Sequence, residues 1–291
     1  MRLASYNAHG RTSFGVVIGD GSGDGVVDLR LRGTRHTSVL EVIKAGALSE
    51  VAALTKGARA DFKLSDVELL PPVLSPEKIL CIGINYNRDA EYKQGEQQHA
   101  AGRCSMFFRT PGSLVGHNQP MLLPPESEQL DYEGEIAIVI GKEGRRISRE
   151  AALSHIMGMT LCNEGCLRDW MRHGKFNVTQ GKNFDASGSL GPYLVTADEV
   201  DPATNMHLTT TVNGELRQDT TTSLMIMNFV DLITYVSQFT TLKPGDVIST
   251  GTPVGTGMGF DPPKWLKAGD VVEITVPQLG TLRNEIKAEK V

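Results

Sequence analysis

One segment constrains this chain more than any other: Asp131-Tyr-Glu-Gly-Glu135, running without a break into Ile136-Ala-Ile-Val-Ile140. The apolar run is a strong β signal. If the strand extends backwards, its two-residue period puts Asp131, Glu133 and Glu135 on one face, which continues as Ala137 and Val139. The carboxylates then lead into buried surface. Like charges converging at a buried edge are costly unless they are protonated or paired with a cation. An oxygen-only ligand set suits a hard ion such as Mg²⁺, Mn²⁺ or Ca²⁺. A solvated acidic edge strand is the competing reading. Gly134 counts against it, because glycine inside a strand often marks close approach of a ligand or another backbone.

The 291 residues suffice for one large domain or two modest ones. Leu69-Leu-Pro-Pro-Val-Leu-Ser-Pro76 can be neither helix nor central strand and marks a boundary. Residues 1–70 are expected to form a small N-terminal α/β accessory domain. In it, a hairpin-like segment (Gly15–Ile18, then Val26-Val27) leads into a helical stretch carrying Val39, Leu40, Val42, Ile43, Ala47 and Leu48. Residues 77–291 are expected to form the main body. It opens with a strand at Lys78–Gly83, followed by a charged, helix-compatible stretch from Asn85 to about Gly102. Leu153–Met171 mixes helical and strand signals. Leu224–Phe239 reads as an amphipathic helix with Ile226, Phe229, Val230, Ile233 and Val236 on one stripe. Leu242-Lys-Pro-Gly-Asp-Val247 and Leu266-Lys-Ala-Gly-Asp-Val271 repeat a turn that delivers the chain into a strand. The repeat suggests neighbouring strands in one sheet system.

Composition excludes some classes of function. The 29 basic and 34 acidic residues leave a net charge of −5, without the basic footprint of a general nucleic-acid binder. No run approaches 18 apolar residues, so no membrane-spanning segment is expected. Met1–Phe14 has no apolar core of the secretory kind. Cys81, Cys104, Cys162 and Cys166 fit neither a zinc knuckle nor a disulfide framework and read as reduced, packed thiols. A cytoplasmic location is the expectation. The 31 glycines are in excess of the usual share and should mark turns and close backbone approaches.

Three softer signals accompany the carboxylates. Thr250-Gly-Thr-Pro-Val-Gly-Thr-Gly257 is either a plain tight loop or a cradle for a carboxylate or phosphate, and it lacks the dinucleotide and P-loop patterns. Lys182, in Gln180-Gly-Lys-Asn-Phe-Asp185, is either an exposed structural lysine or a site residue. Arg109 follows two aromatics and either grips an anion or caps a strand.

In this order the segments resemble the fumarylacetoacetate hydrolase superfamily. The match runs from Ile82-Gly-Ile-Asn-Tyr86 through Phe108-Arg109, Asp131–Glu135, Arg168-Asp169, Gly181–Asp185, Leu190-Gly-Pro192, Leu242–Asp246 and Gly251-Thr-Pro253 to Gly280–Asn284. The resemblance implies an α+β, mainly β fold, a mixed β-roll or sandwich, assembled as a homodimer. It implies one Mg²⁺ or Mn²⁺ per active site and a small 2-oxo acid substrate, often an acylpyruvate from aromatic-compound catabolism. Carried over by position, Glu133 and Glu135 are metal ligands. Glu164 is the third, in place of the family's usual aspartate. Lys182 is the active-site lysine, and Arg109 and the Gly251-Thr252 loop are substrate-binding.

Two departures bear on the chemistry. After Asn85-Tyr86, Asp89 stands where the family carries a histidine and Tyr92 where it carries a glutamate, so its water-activating His–Glu pair is not reproduced. Asp89, Glu91 or His99 would have to serve as general base. Met171 replaces a glutamine after Arg168-Asp169. The function expected is metal-dependent hydrolysis of a C–C bond in an acylpyruvate-type 2,4-dioxo acid. Isomerisation or decarboxylation of a hydroxymuconate-type dioate through the same enolate is the alternative, and a degenerate 2-oxo-acid-binding protein is a third.

Overall fold

A computed structural model describes residues 1–19, 24–87, 104–174 and 177–290. Two sheets dominate. The larger has twelve strands, and its long path runs Phe62–Lys63, Gly25–Asp28, Arg11–Ile18, Arg2–Ala8, Gly188–Thr196, Ile156–Asn163, Gly134–Ile140, Val247–Ser249, Ile79–Ile82, Met106–Phe108. The smaller has five, in the order Glu215–Thr221, His207–Val212, Val271–Val276, Gly280–Ala288, Met121–Leu123. The chain is mainly β with few helices, as expected from the sequence.

The Gly134–Ile140 strand is buried along its whole length, so its side chains alternate between two cores rather than between core and water. Ile136, Ile138 and Ile140 join Leu208, Val272 and Ile274 of the smaller sheet. Ala137 and Val139 face the other way, toward Val39, Val42 and Ile43 of the helix Val39–Lys44. That alternation places Glu135 on the Ala137–Val139 side and Gly134 toward the smaller sheet.

The N-terminal strands join this same sheet, Arg2 opposite Val195 and Leu3 opposite Leu194. Ile156–Asn163 resolves the mixed 153–171 region as a strand paired to Gly134–Ile140. The C-terminal helix is shorter than its apolar stripe. It starts at Phe229 because Asn228 and Asp231 form a reciprocal capping box, leaving Leu224 and Ile226 exposed before it. The repeated turn is the same structure twice: Asp246 accepts from the Lys243 amide and Asp270 from the Lys267 amide, each at 2.8 Å. The strands that follow lie in different sheets, however, and are not neighbours. A turn motif fixes how a strand begins, not which partner it finds. No helix among the described residues is long and apolar enough to cross a membrane. The 85–102 stretch falls largely outside the described residues, and Asp89, Glu91, Tyr92 and His99 with it.

Candidate metal centre

Strand pairing assembles the site. Gly134 lies opposite Asn163 and Glu135 opposite Cys162. Just past that register, the Glu164 amide donates to the Glu133 carbonyl at 2.8 Å, and the Asn163 side chain accepts from the Glu133 amide at 3.0 Å. Glu133, Glu135 and Glu164 are thereby brought together at the end of two adjacent strands. All three are buried, and one carboxylate oxygen of each lies within 4.8 Å of the others. The longer arm of Glu164, compared with an aspartate, still reaches the cluster. Asp131 does not join it. The chain leaves strand geometry at Tyr132 and Glu133, between Leu130–Asp131 and Gly134–Ile140. Asp131 instead accepts from the Gly257 and Met258 amides at 2.7 and 3.1 Å and pins that loop.

Three cations surround the carboxylates. Lys182 is buried, and its Nζ donates to Glu133 Oε2 at 2.6 Å, to Glu164 Oε2, and to the Glu164 carbonyl at 3.0 Å. Its sequence neighbourhood left an exposed structural lysine as one reading; Lys182 is instead 2% exposed and paired with two carboxylates. Arg168 joins Asp131 Oδ2 at 2.8 Å to Glu133 Oε1 at 2.6 Å. Arg109 pairs with Glu164 Oε1 at 2.6 Å. Its remaining N–H groups donate to the Gly165 carbonyl, the Ser113 hydroxyl and carbonyl, and the Ser187 hydroxyl, so all five are directed at protein acceptors. Burial opposes the charge on Lys182, yet the surrounding groups, Glu133 and Glu164 among them, hold its pKa above the ordinary lysine value.

Glu135 is the exception. Among the described residues it forms no ion pair, and its Oε2 accepts from the Ser249 hydroxyl at 2.6 Å and the Gly251 amide at 2.8 Å. Burial, and then the charges of Glu164 and Glu133, push its carboxyl up to about 8. A divalent cation bound there would stabilise its anionic form. The all-oxygen donor set, with Glu135 outside every ion pair among the described residues, fits Mg²⁺ or Mn²⁺.

This shift fixes a pH dependence. Below about 8 Glu135 carries a proton that a bound ion must expel. Mn²⁺ affinity, measured by titration calorimetry, is therefore expected to climb from pH 6 to about 8, up to about tenfold per unit, and then level off. In chelator-treated protein the sign is opposite. The folded-state pKa lies above the usual 4.5, so stability from this group is present below 4.5 and is lost as pH rises through about 8. An affinity that does not change with pH over this range counts against protonation of Glu135.

The Gly/Thr loop is tied to the carboxylate cluster. Gly251 has a φ of +97°, its amide faces Glu135, and a Cβ there would lie 2.6 Å from Asn85 Cβ. The Thr252 hydroxyl donates to the Gly134 carbonyl at 3.0 Å and accepts from Gln218 Nε2 at 2.9 Å. Gln218, which sequence reasoning did not single out, and Asn85, which it quoted only within a motif and gave no role, are buried organisers. Gln218 Oε1 accepts from the Gly134 amide at 2.9 Å. Asn85 ties the Thr250 carbonyl to both the amide and the carbonyl of Met227. The close approach at Gly134 comes from the smaller sheet: a Cβ there would sit 2.1 Å from Thr210 Oγ1 and 3.0 Å from Gln218 Oε1. Met171 packs beside Lys182's short helix, where a Cβ on Gly181 would meet Met171 Cγ at 2.5 Å.

Residues 78–287 match the family model for the fumarylacetoacetate (FAA) hydrolase C-terminal domain. The chain is 36% identical over 291 residues to the mitochondrial oxaloacetate tautomerase FAHD2B of Bos taurus, covering 98% of this chain and 91% of that protein. Among solved structures it superposes on a fumarylacetoacetate hydrolase from Exiguobacterium antarcticum with a TM-score of 0.82 at 34% identity, covering 99% of this chain and 100% of that one. A maleylpyruvate hydrolase from Sphingobium sp. SYK-6, solved with manganese(II) and pyruvate, superposes with a TM-score of 0.79 at 28% identity, covering 100% of both chains. The chain belongs to the fumarylacetoacetate hydrolase superfamily.

Proposed function

We propose that this member of the fumarylacetoacetate hydrolase superfamily is a divalent-metal-dependent tautomerase or isomerase that moves a proton on the enol of a small 2-oxo dicarboxylic acid. The observation that carries the reading is the buried Glu133–Glu135–Glu164 cluster with a lysine amine on two of its members. These three residues would hold Mg²⁺ or Mn²⁺, which when bound supplies a Lewis acid for the 2-oxo oxygen. Lys182 keeps a proton at Nζ and donates to the developing oxyanion. Asp131 and Arg168 fix Glu133, Arg109 fixes Glu164, and Ser249 with Gly251 fixes Glu135. On this reading Arg109, Gly251 and Thr252 act by positioning the ligands rather than by gripping substrate.

Proton transfer is preferred to hydrolysis on two grounds. The oxaloacetate tautomerase relative aligns along 98% of this chain. Asp89 and Tyr92 replace the two residues of the water-activating pair. Hydrolysis of an acylpyruvate is the second reading, favoured by the likeness to the maleylpyruvate hydrolase. It requires a general base such as Asp89 or Glu91.

One experiment separates them. The protein with Mn²⁺ is given the enol form of oxaloacetate, a hydroxymuconate-type dioate and an acylpyruvate, and the products are identified by mass. The expected result is faster decay of enol absorbance with unchanged mass. Pyruvate plus a free acid moves the assignment to hydrolysis, and loss of CO₂ moves it to decarboxylation.

A further inference from the structure

We propose that Lys182 is an exchangeable internal counter-ion of the metal centre: a divalent ion entering the cluster takes over at least one of the two carboxylate oxygens that Nζ holds. The inference rests on the metal-centre reading above. Nζ binds Glu133 Oε2 and Glu164 Oε2, one oxygen from each of two of the three glutamates. The other oxygen of each is held by an arginine, Glu133 Oε1 by Arg168 and Glu164 Oε1 by Arg109. A cation that binds all three carboxylates therefore approaches oxygens that these side chains already hold, and like charge sets it against the cation on the oxygen it shares.

The arginines are poor candidates for leaving. Arg109 has five buried acceptors, and withdrawing its planar fork would break all five hydrogen bonds at once. Arg168 also holds Asp131, which anchors the Gly257–Met258 loop. Lys182 differs in kind. Its charge is a single rotatable ammonium on a flexible four-carbon stem, and two of its three contacts are the ligand oxygens themselves. A doubly charged ion placed on the same oxygens repels it at short range. It also has somewhere to go, since Nζ stands 5.3 Å from the centroid of the Phe107 ring, whose face accepts a cation.

Two consequences follow for this chain. Until an ion enters, Glu133 and Glu164 are bridged by an ammonium rather than left to repel one another. Once it enters, the amine is released as a proton donor, so the donor and the Lewis acid become available together.

The test uses the full chain. Mn²⁺ binding is followed by the EPR signal of the free ion, for wild type and Lys182→Met at one pH. The expected result is at least tenfold tighter binding by the variant, because the competitor is gone. Equal or weaker binding overturns the exchange. Since the variant leaves two buried carboxylates short of a counter-ion, a second measurement uses the wild type alone: crystal structures from chelator-treated and Mn²⁺-soaked protein. Nζ is expected to touch both carboxylates in the first and at most one in the second, and contact with both in each overturns the proposal. Absence of Mn²⁺ binding by either protein overturns the metal-centre reading along with it. Ordinary wild-type binding without gain in the variant overturns the exchange alone.

Discussion

Glu135→Gln is expected to weaken Mn²⁺ binding by about a hundredfold or more, since it removes a charged ligand where even outer-shell changes typically cost 10–100-fold. The substitution is nearly isosteric, and its amide oxygen can still accept from Ser249 and Gly251 as Glu135 Oε2 does. What it removes is the ability to become an anion. Glu135 is the one member of the cluster with no cation partner among the described residues, and its carboxyl is pushed up to about 8. The variant should accordingly fold at least as well as wild type, and increasingly better as pH rises from about 4.5 to about 8, where wild-type Glu135 must hold a proton that the unfolded chain releases. The dependence of Mn²⁺ affinity on pH between 6 and 8 should flatten in the same variant. Calorimetric titration and urea unfolding of chelator-treated protein measure the two effects separately. If Glu135→Gln binds Mn²⁺ like wild type, the three glutamates are not a metal centre.

How much of this was legible in the sequence depends on the length scale of each cause. The β run and the side of the strand on which Glu135 lies follow from two-residue alternation, a local property. Glu164 is legible only through resemblance, because nothing in Asn163-Glu164 itself says that strand pairing brings it beside Glu133. Asp131 shows the limit of the local rule. Alternation puts it on the face of Glu133 and Glu135, but the chain leaves the strand between them and Asp131 holds a loop instead. Gly134 signals a close approach of a ligand or another backbone, but what approaches is the side chains of Thr210 and Gln218, from a sheet about 80 residues away in sequence. Gln218 had no signal of its own. It lies in an exposed-looking hairpin, Glu215-Leu-Arg-Gln-Asp, and becomes buried only when that sheet packs on the site. A buried amide bonded to the Gly134 amide, between two of the glutamates, and to the Thr252-Pro253 loop is a tertiary fact.

Arg109 carries the second large effect. Arg109→Met removes a cation whose partner, Glu164, is about 1% exposed. Stranding a buried carboxylate in this way costs about 3–5 kcal/mol, so urea unfolding of chelator-treated protein should show a loss of that size. Lys182 remains on the other Glu164 oxygen and supplies only part of the balance, while the carbonyls of Ser113 and Gly165 lose their donor. Arg109→Lys should recover little, since an ammonium cannot reach five acceptors spread around a planar fork. Glu164→Gln in the Arg109→Met background should recover much of the loss, because the charge left unpaired is then gone. The double-mutant cycle should show strong coupling between the two positions. The same series decides what Arg109 does. If its role is to hold Glu164, stability and Mn²⁺ affinity fall together and the second substitution restores stability without restoring metal. If Arg109→Met unfolds within about 1 kcal/mol of wild type, a size ordinary for substitutions outside such networks, and only the KM for substrate rises, then the guanidinium serves the substrate carboxylate and the positioning role is wrong.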